Sequence, residues 1–302
     1  PFAKIKDLTD PSFGLSYSKG NENPYYGKFA SDPGNSTVLG DAVKQNPGFL
    51  VLWLGMEDIY DYAASGGYNK TIPAASEFSA GLDAILGPLT ANGAKGVIAN
   101  IPDFESFPFY TLVPYNAADL TQIQADSLND YYTNLGFTNF SFVEGNNPFT
   151  IADSNDPAKF RQLISSEYIL LNVPLDSIKC YKYGLVLPVI NDRYVLDKYE
   201  VAVVKNAITS YNQAIASAAS KYGLAHVDVN TYFKSILSGI NWDGIALSAE
   251  FVSGGFYSLD GYHPNQRGYS LIAFEFIKAI NQKYGATVPT THCGDCIGIQ
   301  FP

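Results

Sequence analysis

The chain has 302 residues, of which 46% are hydrophobic and only 16% are charged, and its formal net charge is −10. This size suffices for one large domain or two small ones. The acidic balance and the lack of a Lys/Arg cluster exclude nucleic acid as an expected partner. No apolar stretch reaches the ~20 residues of a membrane-spanning helix.

Short apolar runs alternate with helical patterns along the chain. Residues 49–54 are wholly apolar and stop at Gly55, which is typical of a strand buried on both faces of a parallel sheet. Helical spacing of apolar residues predicts helices that alternate with such strands. The predicted strands are 49–54, 96–100 and 224–229, and the predicted helices are 73–89, 117–135, 195–222, 230–237 and 269–283. This alternation predicts an α/β fold whose parallel sheet is covered on both sides.

Residues 140–197 break this rhythm. They are rich in Asn, Pro and Tyr, with β-like runs at 168–173 and 185–190. We expect a cap-like insertion within a single domain of residues 1–302, followed by a tail at 286–302. Residues 245–251 and 256–257, joined around Ser253-Gly254-Gly255, predict a hairpin just before a histidine-containing loop.

Polar residues follow the predicted strands. Gly55-Met56-Glu57-Asp58 comes after the first, Asp103 after the second, and Asp260-Gly261-Tyr262-His263-Pro264 precedes the last helix. Because parallel sheets bind ligands beyond the carboxyl ends of their strands, we expect these clusters to converge. A carboxylate near a histidine can fix its tautomer, which suits the histidine to proton transfer near neutral pH. The alternative is a loop histidine that only packs near a helix start.

Several short motifs resemble the SGNH/GDSL esterase and lipase family, more narrowly its Bacteroidetes lipoprotein-like branch, up to about Gly285. The motifs are Asp260-x-x-His263-Pro264 with Gly268, Gly55-x-x-Asp58, Asn46-Pro47, Tyr62-x-x-Ser65-Gly66-Gly67 and Pro174-Leu175-Asp176-Ser177. The histidine motif is moderately specific, whereas the Gly55 motif alone is weak.

The resemblance implies a flavodoxin-like three-layer α/β/α sandwich that hydrolyses carboxylic esters without a metal or an organic cofactor. In the family a serine of a Gly-Asp-Ser block is the nucleophile, a histidine activates it and an aspartate orients the histidine; His263 and Asp260 match the last two. The implied ligands are a small-molecule ester, a lipid or an acylated glycan. The implied location is secreted, periplasmic or outer-membrane-anchored in a bacterium, with membrane contact only through a lipid anchor outside this chain.

Two features depart from the family pattern. No Gly-Asp-Ser block occurs, and Pro1-Phe2-Ala3-Lys4 resembles the stretch after the family's second strand, so we expect the serine and the N-terminal strands to lie upstream. Their loss would expose an apolar sheet edge beside residues 49–54. Near Gly55, at the oxyanion-hole position, Glu57 replaces the family's asparagine, and an ionised carboxylate only accepts hydrogen bonds. Three other serines lack a strand-turn-helix elbow: Ser12, Ser106 and Ser258.

Three functions remain open from the sequence. The first is an esterase whose serine lies upstream. The second is a catalytically inactive relative that binds a glycan or a lipid in the old cleft, as the substitution by Glu57 favours. The third is a hydrolase that pairs Glu57 with Asp58 or Asp103. The loop tyrosines that could stack on sugar rings in the second case are Tyr17, Tyr25, Tyr26, Tyr60, Tyr62 and Tyr68.

The cysteines and the other histidines indicate no further site. Cys293-Gly294-Asp295-Cys296 is a single C-x-x-C motif, whereas structural zinc takes four ligands, so we expect a tail disulfide or free thiols. Cys180 stands alone. His226, within a predicted strand, and His292, in the tail, are expected to be structural or incidental.

Overall fold

The structure is a computed structural model that describes residues 2–15 and 23–298; Pro1 and Tyr17, named above, lie outside the described residues. The strands are β1 (Phe49–Trp53), β2 (Lys95–Ala99), β3 (Ala118–Leu120), β4 (Gly145–Asn147), β5 (Thr150–Ala152), β6 (Phe160–Gln162), β7 (Tyr168–Ile169), β8 (Val195–Leu196), β9 (Ala225–Val227), β10 (Ile240–Trp242) and β11 (Ile245–Leu247). The α-helices are α1 (Val38–Lys44), α2 (Met56–Ala63), α3 (Ala75–Thr90), α4 (Pro108–Thr111), α5 (Gln122–Asn134), α6 (Leu175–Tyr181), α7 (Lys198–Lys221), α8 (Val229–Leu237) and α9 (Gln266–Tyr284).

A parallel sheet in the order β1-β2-β9 forms the centre of the molecule. Helix α7 packs against β2, β9 and α3, and α9 also packs against β2 and β9. The chain is therefore a mixed α/β protein with a parallel sheet flanked by helices, which is compatible with a three-layer α/β/α arrangement. Within the ranges given above, no helix combines the length and the apolar character needed to cross a membrane.

Strand β1 lies at an edge of this sheet. Among the described residues it pairs only with β2, and Val51, at its middle, is 63% exposed although Leu50 is buried. Phe49, on the same face as Val51, is 40% exposed. The prediction of a strand buried on both faces is therefore wrong for β1, whereas Val97, Ile98 and Ala99 of β2 are buried. The part of the chain that the structure describes therefore leaves one edge and part of one face of the sheet uncovered.

Two helices begin later than their apolar pattern predicts, because a capping residue stands inside the pattern. The Asp197 side chain accepts hydrogen bonds from the amides of Tyr199 and Glu200 and starts α7, so Val195 and Leu196 pair as β8 with β7 instead. Thr121 caps α5 in the same way, and the residues before it form β3. A capping side chain satisfies backbone donors that a helix end leaves free, and so it fixes the boundary.

The insertion has a hydrophobic core of its own. This second core runs from Ala118 to Val195, so it begins before residue 140, the expected start of the insertion. It packs α5 and α6 around short two-stranded ladders. Of the two β-like runs, 168–173 contains β7, while 185–190 forms turns with isolated bridges.

The predicted hairpin at 245–257 is wrong. The hairpin forms instead between β10 and β11, with Ile240 opposite Leu247. Asp243 and Gly244 connect the two strands at φ 52° and 78°, and two-residue hairpin turns of this kind require positive φ at both positions. The stretch after β11 is free to turn back, and Tyr257 pairs with Pro264. This second pairing shapes the histidine loop.

Candidate functional site

A tight loop holds Asp260 and His263 in front of α9. The Ser258 amide donates to the His263 carbonyl at 2.8 Å, and the Asn265 amide donates to the Phe256 carbonyl at 2.9 Å. Gly261 closes the turn at φ +69°, where an L side chain is strained. The two extended arms therefore fix the backbone on both sides of the acid and the histidine.

Gly268 explains how closely α9 approaches this loop. A Cβ atom at this position would lie 2.4 Å from the Phe256 carbonyl oxygen and 2.7 Å from the Pro264 Cβ. The Asn265 side chain caps the helix by accepting from the Gly268 amide at 3.1 Å. The spacing from His263 to Gly268 thus follows from two constraints: Asn265 caps the start of α9, and Gly268 packs against the backbone at Phe256.

Asp260 binds the imidazole and the loop at the same time. Its Oδ2 lies 2.7 Å from Nδ1 of His263, while Oδ1 accepts from Ser258 Oγ at 2.7 Å and from the amides of Tyr262 and His263 at 2.9 Å each. Burial raises the pKa of Asp260, but these hydrogen bonds outweigh burial and lower the pKa to about 2. The carboxylate is therefore ionised near neutral pH and favours a proton on Nδ1. The structure brings this predicted pair together.

The imidazole faces two adjacent cavities of about 330 Å³ each. The His263 side chain is 49% exposed. Both cavities share Phe2, Glu57, Tyr262 and His263. Cavity A is further lined by Ala3, Trp53, Leu54, Met56, Phe107, Phe233, Pro264 and Tyr269. Cavity B is further lined by Tyr60, Asp61, Ala64, Ser65, Phe109 and Asp260.

Glu57 belongs to the first turn of α2, and its carboxyl is half-buried where the two cavities meet. Burial raises its pKa and so does the negative charge of Asp61, while His263 and Lys4 act in the opposite direction. Asp61 is itself paired with Lys4 at 2.6 Å and with Lys70 at 3.2 Å. Glu57 therefore stays protonated to a higher pH than an exposed glutamate, and in that form it can donate a hydrogen bond.

Gly55 and Asp58, the neighbours of Glu57 in its motif, have structural roles. Gly55 has φ +97° and precedes α2, and a Cβ there would come within 2.8 Å of Phe78 and Ile101. Asp58 is 1% exposed and accepts from the Ile5 amide at 3.0 Å, while its Oδ1 has no hydrogen-bond partner among the described residues. Burial raises the pKa of Asp58 to about 6. Neither residue lines cavity A or cavity B.

Asp103 does not join the site. It pairs with Lys234 at 3.3 Å and lines a separate, polar cavity of about 520 Å³ with His226. The Tyr60 hydroxyl donates to the Pro102 carbonyl at 2.6 Å, so the Tyr60 ring connects the two regions. Of the three polar clusters expected to converge, the one with Glu57 and the one with His263 do so, and the one with Asp103 does not. A pairing of Glu57 with Asp58 or Asp103 has no geometric support.

Sequence reasoning missed the aromatic floor of the site. Tyr262 stacks on Phe107 at a ring-centroid distance of 5.1 Å and meets Tyr60 edge-on at 5.6 Å. It also meets the His263 ring at 4.9 Å, which limits how that ring can tilt. The buried Tyr110 hydroxyl has no hydrogen-bond partner in the described part of the chain, and its pKa is raised first by burial and then by the charge of Glu57. The sequence did offer one signal for this aromatic floor, namely that Tyr262 lies between the acid and the histidine.

None of the three serines that lack a strand-turn-helix elbow is placed as a nucleophile for His263. Ser12 donates to Asp10, Ser258 donates to Asp260, and the buried Ser106 hydroxyl has no hydrogen-bond partner within residues 2–15 and 23–298. In the part of the chain that the structure describes, no hydroxyl group is hydrogen-bonded to Nε2 of His263.

The loop tyrosines do not form one platform. Tyr60 is buried, and Tyr26 donates to Asp41 at 2.9 Å. Tyr62 is half-buried, whereas Tyr25 and Tyr68 are exposed. Of these tyrosines only Tyr60 lines a cavity beside His263.

The cysteines are free thiols: Cys293 is buried, Cys296 is partly buried and Cys180 is exposed. His292 lies 3.6 Å from Asp243 in the tail region, outside both cavities. His226 has a pKa lowered by burial. Over residues 2–15 and 23–298, no group of three or more His, Cys, Asp or Glu side chains is placed to hold a metal ion.

Comparison of the chain with protein-family models, with curated proteins and with solved structures finds no match. The likeness to the SGNH/GDSL family therefore rests on the motifs alone.

Proposed function

We propose that this chain carries the general base and the orienting acid of a serine acylhydrolase that acts on carboxylic esters, on a flavodoxin-like three-layer fold. The supporting observation is the 2.7 Å contact between Asp260 Oδ2 and His263 Nδ1. The same imidazole lines two cavities. An ionised acid on one ring nitrogen leaves the other as a proton acceptor, which is the arrangement that activates a hydroxyl nucleophile.

The proposed reaction is acyl transfer in two steps. A serine hydroxyl attacks the ester carbonyl while Nε2 of His263 takes the hydroxyl proton, and the imidazolium returns that proton to the departing alcohol. Water then attacks the acyl-serine and gives a proton to His263, and the imidazolium returns that proton to the serine oxygen as the carboxylic acid leaves. Asp260 holds Nδ1 and stabilises the imidazolium charge through both steps, without itself taking the proton.

We infer that the serine enters on a segment beside β1. The free edge of β1 and the exposure of Val51 leave room for a further parallel strand, and neighbouring strands lie about 4.8 Å apart. Trp53 and Leu54, at the carboxyl end of β1, line cavity A together with His263. A strand added at this edge would end next to the imidazole, and a Gly-Asp-Ser turn after it would point a hydroxyl at Nε2.

Ester turnover by the full-length protein tests this proposal. With p-nitrophenyl acetate, His263→Ala should lose about 10³-fold or more in kcat/KM, because removal of a triad member leaves only binding and oxyanion stabilisation. His292→Ala is the matched control, since that imidazole also lies near a carboxylate but outside both cavities. Equal rates for wild type and His263→Ala would contradict the proposal.

A second function is favoured by Glu57. A carboxylate at the oxyanion-hole position opposes the developing negative charge of the intermediate whenever it is ionised. This supports an inactive relative that binds a glycan or a lipid, with the aromatic wall of cavity A as its contact surface. In that case the full-length protein binds ligand but turns over no ester, and a gain of activity in Glu57→Asn would show that position 57 is a lost oxyanion donor.

A further inference from the structure

A cavity of about 550 Å³ lies within the insertion, away from His263. It opens between α5 and the segment that carries α6, and it shares no lining residue with cavity A or cavity B. Its volume falls within the ~300–1,000 Å³ of small-molecule sites. We call it the insertion cavity. Its lining is Ala117, Ala118, Asp119, Leu120, Ile123, Gln124, Ser127, Leu128, Tyr131, Phe149, Ile178, Lys179, Lys182, Leu185 and Val186.

The walls of the insertion cavity are mostly apolar. Buried side chains of the second core form its floor, namely Leu120, Leu128, Phe149 and Leu185. On α5, Ile123, Ser127 and Tyr131 recur every four residues and therefore share one helix face. Ile123 is 78% exposed, although an amphipathic helix normally turns its apolar side chains to the core. The face of α5 that lines the cavity therefore presents apolar surface that the fold itself does not cover.

Two lysines lie at the same cavity. Lys179, on α6, and Lys182, just after it, both line it and are both exposed. Among the described residues neither has a carboxylate within the 4.0 Å of an ion pair, unlike Lys4, Lys205 and Lys278. Asp119 is the one acid among the described residues of the lining. An apolar trough with two uncompensated ammonium groups complements a molecule with an apolar tail and an anionic head.

We propose that the insertion cavity binds a single-chain amphiphile with a carboxylate head, that is, a fatty acid. The chain packs against Ile123 and the buried floor, where it removes apolar surface from water. The carboxylate lies between Lys179 and Lys182, which add charge-assisted hydrogen bonds. This site is separate from the proposed ester chemistry and does not depend on it.

Calorimetric titration with dodecanoate, below its micelle concentration, tests the proposal on the full-length protein. Lys179→Gln combined with Lys182→Gln should weaken dodecanoate binding about tenfold and leave the binding of uncharged dodecanol unchanged. Dodecyl phosphate separates a requirement for a carboxylate from a requirement for negative charge: tighter binding of the phosphate than of the carboxylate would overturn the assignment to a fatty acid. Lys159→Gln, an insertion lysine outside the cavity, is the control.

The apolar wall is tested by Ile123→Asp, which should weaken both dodecanoate and dodecanol about tenfold or more. Leu135→Asp is its control, because Leu135 is an exposed residue at the end of α5 outside the cavity. Circular dichroism verifies that each variant is folded. Undetectable dodecanoate binding, or equal binding by the Ile123 and Leu135 variants, would overturn the proposal. His263→Ala should bind dodecanoate as tightly as wild type does, so the outcome of this experiment is independent of the esterase proposal.

Discussion

Asp260 binds His263 at two points, the ring nitrogen Nδ1 at 2.7 Å and the backbone amide at 2.9 Å. The imidazole cannot rotate away without losing its carboxylate partner, and the loop cannot open without losing the amide contact. The acid therefore fixes both the tautomer and the position of the base, which is the pre-organisation that general-base catalysis needs.

Replacement of this acid by its amide should abolish most turnover. In Asp260→Asn the new amide still accepts from the loop amides, but its NH₂ group faces Nδ1 and places the ring proton on Nε2, where it blocks proton acceptance. We expect kcat to fall about 10²–10⁴-fold with little change in folding. Steady-state kinetics measure this, and Ser258→Ala, which removes one donor to the same carboxylate, should have a much smaller effect. Retention of full activity by Asp260→Asn would show that the acid does not orient His263.

Glu57 should make activity depend on pH in a way that Glu57→Gln removes. Burial raises the pKa of Glu57, so the neutral, donating form prevails below that pKa and the ionised form above it. The ratio of kcat in Glu57→Gln to kcat in wild type should therefore rise with pH, by about tenfold or more. Rates measured from pH 5 to pH 9 give this ratio, in which the contribution of His263 cancels to a first approximation. A ratio that stays constant would exclude a role for the Glu57 charge.

Asp58 should destabilise the fold as pH rises. Its pKa is about 6 in the folded chain against an ordinary value of 3.8, so folding favours the protonated form. The resulting stability is present below pH ~4 and is lost as pH rises through about 6, a loss of the order of 2–3 kcal/mol. Asp58→Asn should therefore unfold at higher denaturant concentration than wild type at pH 8, and at a similar concentration at pH 4.

Asp126→Asn is the control for this experiment, because it removes one negative charge from an exposed position on α5. If the stability difference between Asp58→Asn and wild type were the same at pH 8 as at pH 4, the buried carboxyl would not be the cause of the pH dependence.

Gly268→Ala should weaken both the fold and the site. The added methyl group would lie 2.4 Å from the Phe256 carbonyl, so α9 must shift away from the histidine loop, at a cost of about 1–3 kcal/mol. Gly48→Ala, just before β1, is the control, because its methyl group would meet no described atom within 4 Å and should change the stability by no more than about 0.5 kcal/mol. Thermal melts of both variants measure this. Equal melting temperatures would contradict the packing account.

The sequence predicted well what depends on local pattern. The acid–histidine contact and the alternation of β1, α3, β2, α5, α7, β9, α8 and α9 follow from residues close together in the chain, although α9 begins at Gln266 and not at the predicted residue 269. The start of α7 was missed because a capping box at Asp197 overrides the apolar spacing.

What the sequence could not supply depends on tertiary contacts. The apolar run at 49–54 by itself carries no sign of an edge position, since a strand's burial depends on its neighbours in the sheet; the expectation of an exposed edge came from the family resemblance alone. Likewise Asp103 follows β2 as predicted, but Tyr60 and Lys234 determine where it lies. The half-burial of Glu57 and the insertion cavity arise from packing between distant segments.

Covalent labelling of the full-length protein by a fluorophosphonate tests the central claim most directly, because such probes phosphonylate only a serine that a neighbouring base activates. We predict one adduct by intact mass, mapping to a serine on the segment beside β1, present in wild type and in His292→Ala and lost in His263→Ala. Absence of any adduct, or labelling that persists without His263, would contradict the account.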